Sequence, residues 1–285
     1  MIQIKRVADI RDYLQASKAD KKVIGFVPTM GALHKGHVSL ADRSLEVCDI
    51  TVVSIFVNPK QFNDTEDLKK YPRPLESDLK ILEEAGVDVV FIPEVEDIYP
   101  DGENFTIKFH PGLLAEMMEG EFRPGHFEGM AEVVYRLLSI VNPDKLFMGQ
   151  KDFQQLAIVR KMITDLDMPI LLEMCPIIRE ENGLAMSSRN ERLSKEARQK
   201  AGIIYATLVE SERLFEENEP VEEIKKLAMT AFTKEGFEPE YFEIADGVSL
   251  QPVDSYGASQ YIVALCALRV EGIRLIDNAI WIKKE

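Results

Sequence analysis

Basic charge is scarce in this chain, histidine and cysteine are scarcer, and no long apolar run occurs; each shortage removes a class of function. Lys and Arg number 34 against 49 Asp and Glu, a formal net charge of −15 over 285 residues. A protein that grips nucleic acid by its phosphates needs surplus cations to displace counterions, so no nucleic-acid partner is expected. The three cysteines, Cys48, Cys175 and Cys266, are odd in number, far apart and without metal-ligand spacing. Buried, reduced thiols in a cytoplasmic protein are the expectation. The longest apolar runs, residues 50–57 and 261–268, are strand length and well short of the roughly 20 residues of a membrane helix. The N-terminal MIQIKRVADIRDYL mixes charges into apolar positions at helical spacing and lacks the apolar core of a targeting signal. No repeat or low-complexity tract is present, and the acidic cluster Glu216, Glu217 and Glu219 before Pro220 reads as a solvated connection between helices.

What is there is an alternation. Short β-branched runs at 22–27, 50–57, 88–92, 145–148 and 170–175 predict strands, and apolar residues at i, i+3 and i+4 predict helices at 38–47, 75–85, 130–140 and 153–166. That order predicts an α/β fold with a doubly wound, Rossmann-like parallel sheet. After residue 190 the pattern changes to two long helices, 195–216 and 221–234, then strands at 241–245, 260–268 and 273–280. The expected division is therefore a nucleotide- and substrate-binding domain over 1–189 and a smaller α+β domain over 190–285. In a doubly wound sheet ligands bind at the carboxyl ends of the strands, so motifs just after strands carry weight. Residues 58–74 are polar, contain three prolines and are either an ordinary connection or a loop over a site. Met117, Met118 and Met130 are expected to be core filler.

The segment from Val23 to Ser44, VIGFVPTMGALHKGHVSLADRS, reads as strand, glycine-bearing turn and helix. His34 and His37, two of only four histidines, fall where the helix begins. Unpaired backbone N–H groups and the positive end of the macrodipole favour phosphate there. Two imidazoles beside it are suited to donate as charge moves onto a leaving pyrophosphate; the plainer alternative is that they cap the helix. The pattern resembles the HxGH signature of the nucleotidyltransferase superfamily that includes class I aminoacyl-tRNA synthetases, which implies adenylyl transfer.

Three further segments, NPKQF at 58–62, MGQKDFQQL at 148–156 and MSSRN at 186–190, with EFRPGHFEG at 121–129, extend that likeness over nearly the whole chain. Together with PTMGALHKGH they resemble the pantothenate synthetase family of pantoate–β-alanine ligases. The resemblance implies an ATP-dependent, AMP-forming carbon–nitrogen ligase of pantothenate and coenzyme A biosynthesis: pantoate is adenylated with loss of pyrophosphate, then β-alanine displaces AMP. Mg²⁺ is implied as the companion of ATP, with no tightly bound organic cofactor. A cytoplasmic homodimer with no membrane partner is implied as well. The ATP site then maps onto Met30, Gly31, Ala32, Leu33, His34, Lys35, Gly36 and His37, onto Gly149, Gln150, Lys151 and Asp152, onto Ile178, and onto Met186, Ser187, Ser188 and Arg189. His37, His34, Lys151 and Arg189 carry the chemistry, and Gln61 and Gln155 bind pantoate, with Gln61 bordering the β-alanine site.

Each assignment has a plainer counterpart: a surface Lys–Asp pair for Lys151 and Asp152, a capping sequence for Ser-Ser-Arg-Asn, and solvated amides for Gln61 and Gln155. Gln150 departs from the pattern, where an acidic residue is expected. Arg123 and His126 are candidates for a substrate carboxylate or for lid closure. A rival enzyme of the same fold would adenylate a phosphorylated small molecule but would need extra cations for that acceptor. A catalytically silent adaptor would have no use for both signatures with their His, Lys and Arg.

Overall fold

The computed structural model describes residues 1–62, 68–69, 71–100 and 107–283; of the polar 58–74 segment, residues 63–67 and 70 lie outside the described residues. Packing divides the chain into two compact units, Met1–Gly149 with Ile158–Cys175 and Gln150–Ala157 with Pro176–Glu285. Relative to a boundary after residue 189, residues 150–157 and 176–189 thus pack with the second unit.

In the first unit six strands form a parallel sheet: β1 Ile2–Ile4, β2 Ile24–Thr29, β3 Ile50–Ile55, β4 Val89–Phe91, β5 Lys145–Gly149 and β6 Leu171–Cys175, in the order β1-β4-β3-β2-β5-β6. The helices between them are α1 Val7–Ala19, α2 Lys35–Val47, α3 Leu75–Glu84, the short α4 Val95–Ile98 and α5 Glu119–Phe122, α6 His126–Val141 and α7 Phe153–Asp165. The register aligns Val27, Val53 and Val90 on one face, where they form a core with Leu40 and Ala41 of α2 and Leu82 of α3. Phe26, Val52, Val89 and Leu146 point to the other face and are also fully buried. Burial on both faces explains why these strands read as continuous apolar runs rather than as alternations.

Strand order reverses between β2 and β5: the chain runs outward through β3 and β4, then returns to β5 and β6. The switch point is therefore at the carboxyl ends of β2 and β5. The expected strands appear with ends moved by a few residues, whereas β1 was not foreseen. It is three residues long and exists through pairing with β4, distant in sequence, which Ile2 N–H to Asp88 O and Ile92 N–H to Ile4 O extend at 2.7 and 2.8 Å.

In the second unit α8 Lys195–Lys200, α9 Ile203–Glu216 and α10 Val221–Lys234 precede an antiparallel sheet of β7 Glu238–Asp246, β8 Tyr261–Val270 and β9 Ile273–Lys283, in that order. Leu208, Phe215, Ile224 and Phe232 pack with Phe242, Ile262 and Leu268 in one core. The single helix expected over 195–216 is two. Asn182 Nδ2 donates to the carbonyls of Arg198 and Gln199 at 2.8 and 3.1 Å, satisfying the end of α8 that a continuous helix would have bonded itself.

Met118 and Met130 are buried as expected, but Met118 precedes α5 with φ +48° rather than lying in a helix. The three cysteines are free, Cys48 half-buried and the other two buried; burial pushes the Cys175 thiol up to about 11. Among the described residues no helix is long and apolar enough to cross a membrane.

α2 approaches the sheet closely at Gly25. A Cβ there would overlap Ser44 Oγ and meet Cys48 Sγ at 2.9 Å, while Ser44 Oγ is committed to Thr51 Oγ1 at 2.8 Å. Gly25→Ala is expected to destabilise the protein by about 1–3 kcal/mol through overpacking. Urea unfolding checks this, and an unchanged midpoint would show that α2 retreats from β2 without cost.

Candidate active site

The chain leaves β2 into a loop whose backbone donors are all but used up locally. Thr29 Oγ1 donates to Ser54 O at 2.6 Å and accepts from Gly31 N–H at 3.2 Å. Asp78, 1% exposed on α3, accepts from Ala32 and Leu33 N–H through its two oxygens, each at 2.8 Å. This holds Ala32 at φ +51°, a left-handed conformation that a non-glycine residue keeps only when its surroundings over-determine it. Burial raises the Asp78 carboxyl above its ordinary range, and the Leu33 and Ala32 amides offset part of the effect.

His34 and His37 then cap α2 reciprocally. His34 Nδ1 accepts from Gly36 N–H at 3.1 Å, and His37 Nδ1 accepts from His34 N–H at 3.3 Å. In both bonds Nδ1 is the acceptor, the role of a ring nitrogen that carries no proton. The rings lie 4.1 Å apart between centroids, and Gly36 permits the fold, since a Cβ there would meet His34 Cε1 at 2.9 Å. His37 and Val38 N–H both bond to His34 O, at 2.8 and 3.1 Å. Of the helix-start amides expected to be unpaired, those of Gly36, His37 and Val38 are bonded within the cap. Capping is real, and these N–H groups are spent within it.

Gln61 ends a helical turn, Pro59–Gln61, just beyond β3. Asn58, 1% exposed, donates to Gln61 Oε1 at 3.2 Å and to Gly129 O at 3.1 Å, and accepts from Tyr99 OH at 2.7 Å. Gln61 Nε2 lies 2.9 Å from Met30 Sδ, so the two sequence candidates are brought together. Lys60 and Arg136 both bond Glu132 and both lie over the Tyr99 ring, at 4.5 and 4.8 Å. His126 is buried at the start of α6 with Nδ1 2.9 Å from Gln61 O; in that position it steadies the turn. Arg123 is half-buried just after α5. Gly149 closes β5 at the switch point, and among the described residues nothing stands within 4 Å of where its Cβ would be.

The remaining candidates belong to the second unit. Gln150, Lys151 and Asp152 form a helical turn, with Lys151 half-buried and Asp152 exposed; Gln155 is half-buried one turn into α7, and its neighbour Gln154 is buried. Ile178 and Met186 meet across a small hairpin, through Met186 N–H to Ile178 O at 2.9 Å and the Arg179–Ala185 bridge. Ser187 does cap the turn after it, accepting from Arg189 N–H at 3.3 Å, while its hydroxyl proton remains a donor. Ser188 and Arg189 are half-buried. Among the described residues no carboxylate pairs with Lys151, Arg189 or the exposed Lys35.

Sequence reasoning missed Asn58, Asp78, Arg179, Asp277 and Asn278. Two left a trace. Asp78 sits on the apolar stripe of Leu75, Leu79 and Leu82, and Asp277 continues the inward-facing alternation of Ile273 and Leu275. A carboxylate at a core position signals bound partners. Asn58 and Asn278 left none, because a neutral amide in a turn or strand is unremarkable until its partners are known.

A doubly wound sheet whose switch point carries a helix start flanked by two imidazoles is the construction of an α/β nucleotide-handling enzyme. The model of the family described as pantoate-beta-alanine ligase matches residues 2–280, and the chain belongs to that family. Among curated relatives, pantothenate synthetase from Flavobacterium psychrophilum is 47% identical over 279 residues, covering 98% of this chain and 99% of the relative. That from Porphyromonas gingivalis is 46% identical over 272 residues, covering 95% and 96%. The structure of pantothenate synthetase from Thermus thermophilus superposes with a TM-score of 0.90 at 39% identity, over 98% of this chain and 99% of that one. Pantoate-beta-alanine ligase from Francisella tularensis, solved with beta-gamma ATP and beta-alanine, gives 0.81 at 34%, over 99% and 98%.

The Asp78 anchor is separable from the chemistry it supports. Asp78→Asn places an NH₂ against one of the two backbone N–H groups, and one unsatisfied buried donor costs about 1–3 kcal/mol. Amide hydrogen exchange at Ala32 and Leu33 should accelerate accordingly, about 5- to 100-fold. Unaltered protection at both amides would mean that the loop holds its shape without the carboxylate.

Proposed function

We propose that this chain condenses pantoate with β-alanine to pantothenate, spending ATP as AMP and pyrophosphate. The observation that carries the proposal is the reciprocal His34–His37 cap at the sheet's switch point, in a chain of this family. A carboxylate is a poor acyl donor because oxide would have to leave. In the first step a pantoate carboxylate oxygen attacks the α-phosphorus, the bond to the bridging oxygen breaks, and pyrophosphate departs. In the second the free amine of β-alanine attacks the acyl carbon, the bond to AMP breaks, and the nitrogen loses a proton as the amide forms.

His37, assisted by His34, donates through Nε2–H to the oxygens where charge accumulates. Met30, Gly31, Ala32 and Leu33 form the loop, and Lys35 and Gly36 the first residues of α2, that present them. Lys151 meets phosphate as a point charge, Arg189 as a planar fork with Ser187 and Ser188 beside it, and Met186 and Ile178 flank the nucleotide. Gly149 lets the ribose approach the backbone, and Asp152 accepts from its hydroxyls. Gln61 and Gln155 hold pantoate, whose hydroxyls and carboxylate suit amides that both donate and accept. Mg²⁺ would accompany ATP and neutralise phosphate charge; among the described residues no cluster of His, Cys, Asp and Glu could hold the ion by protein ligands alone. A cytoplasmic homodimer is part of the same proposal.

One assay separates this reaction from adenylation of a phosphorylated acceptor. Pyrophosphate release must require pantoate, and AMP must appear with an amide product only when β-alanine is added. Within that assay His37→Ala should slow single-turnover adenylation about 10²-fold or more, the usual cost of a preorganised donor; a wild-type rate would remove the role. Arg189→Lys should weaken ATP handling, because an ammonium does not reproduce bidentate geometry. Gln155→Ala should raise the pantoate requirement roughly 5- to 100-fold, the equivalent of one unpaired buried partner. Titrating that variant with pantoate and with an ATP analogue checks the assignment, and selective loss of the analogue would reassign Gln155 to the nucleotide.

A further inference from the structure

At the far end of the sequence from every motif, β9 places two buried polar residues side by side, Asp277 at 3% and Asn278 at 1% exposure. A buried amide in a strand has to find partners, and Asn278 finds them on two consecutive residues. Its Nδ2 donates to Gln150 O and to Lys151 O, both at 3.0 Å, and its Oδ1 accepts from Gln150 Nε2 at 3.1 Å. The side chain thus clamps the main chain on both sides of the Lys151 Cα.

The clamp is itself held. Asn278 N–H donates to Asp277 Oδ1 at 2.8 Å, and Asp277 receives both guanidinium nitrogens of Arg179 at 2.6 and 3.0 Å. Arg179 also donates to Gly183 O at 3.0 Å and lies 3.7 Å from the centre of the Tyr205 ring. One connected set of bonds therefore fixes the Lys151 turn and the hairpin that leads into Met186.

The same geometry accounts for Gln150. Two amides pair donor to acceptor, whereas a carboxylate at 150 would set an acceptor against Asn278 Oδ1. Turning the Asn278 amide over to suit it would take Nδ2 away from the two carbonyls.

We infer that Asn278 is a positioning residue for ATP handling, which acts by fixing the backbone from which Lys151 reaches phosphate. The inference rests on the assignment of Lys151 to ATP, and Lys151→Ala measures that assignment directly.

Asn278→Asp keeps the size of the side chain and turns both donors into acceptors that face carbonyls. Asn278→Ser, which keeps one donor in a smaller side chain, replaces it if the aspartate variant does not fold. Single-turnover adenylation of the full chain, followed against ATP and against pantoate, is expected to show half-saturation by ATP raised about 10-fold, the scale set by displacement of a phosphate-binding group. Half-saturation by pantoate should stay within about 2-fold, since uncoupled sites behave independently. In a Lys151→Ala background the same substitution should change ATP handling by less than about 2-fold, because the group it positions is gone.

Wild-type ATP handling by the Asn278 variant would overturn the inference, as would an equal loss in both backgrounds, the mark of a purely structural role. If Lys151→Ala alone matches wild type, the assignment of Lys151 to phosphate fails and the inference falls with it. If Lys151→Ala is impaired while the Asn278 effect is absent or additive, only the inference fails.

Discussion

Most backbone N–H groups between β2 and the first turn of α2 are satisfied within the chain, and that is the constraint on which the rest of the first unit depends. Gly31, Ala32, Leu33, His34, Gly36, His37 and Val38 all spend their N–H groups inside the chain, on Thr29, Asp78, the two imidazoles and the His34 carbonyl. A loop satisfied in this way is rigid, and its rigidity passes to the histidine rings. Each ring uses Nδ1 as an acceptor within the cap. A structural cap and the proposed phosphate contact use different nitrogens of the same ring, so they do not compete.

The second consequence concerns charge. With a net charge of −15, the protein attracts no anion by its overall field, so cations have to be placed one by one. Several of them are committed: Lys60 and Arg136 to Glu132, Arg179 to Asp277, Arg198 to Glu180. These pairs brace turns and hairpins, and the buried one is costly to break, since a lone Asp277 charge would be left with little solvent. Burial in fact raises the Asp277 carboxyl more than Arg179 lowers it. Lys151 and Arg189 stand outside this set among the described residues. The cations that hold the frame are thus distinct from the two to which ATP phosphate contacts are proposed.

Much of this was legible in the sequence. Strands buried on both faces announce themselves as apolar runs, the parallel order follows from their alternation with helices, and His34, Gly36 and His37 fall at a helix start that the 3.6-residue period locates. The motifs fixed the family because they occur in order along nearly the whole chain. Element ends moved by a few residues, as hydrogen bonding rather than side-chain pattern decides where a strand or helix stops; the break between α8 and α9 is the clearest case, set by Asn182 from a different segment.

By itself, then, the sequence determined what depends on local periodicity and on residue type: the class of fold, the two histidines, and the lysine and arginine suited to phosphate. Tertiary structure alone decided that Asp78 holds the Ala32–Leu33 backbone, that Asn58 reaches the Gly129 carbonyl, and that Asn278 closes on the Lys151 turn. The physical reason is the same each time. A hydrogen bond between residues 45 to 128 positions apart leaves no periodic trace in either segment, because its partner is chosen by how the sheet brings strand ends together and not by the neighbours along the chain.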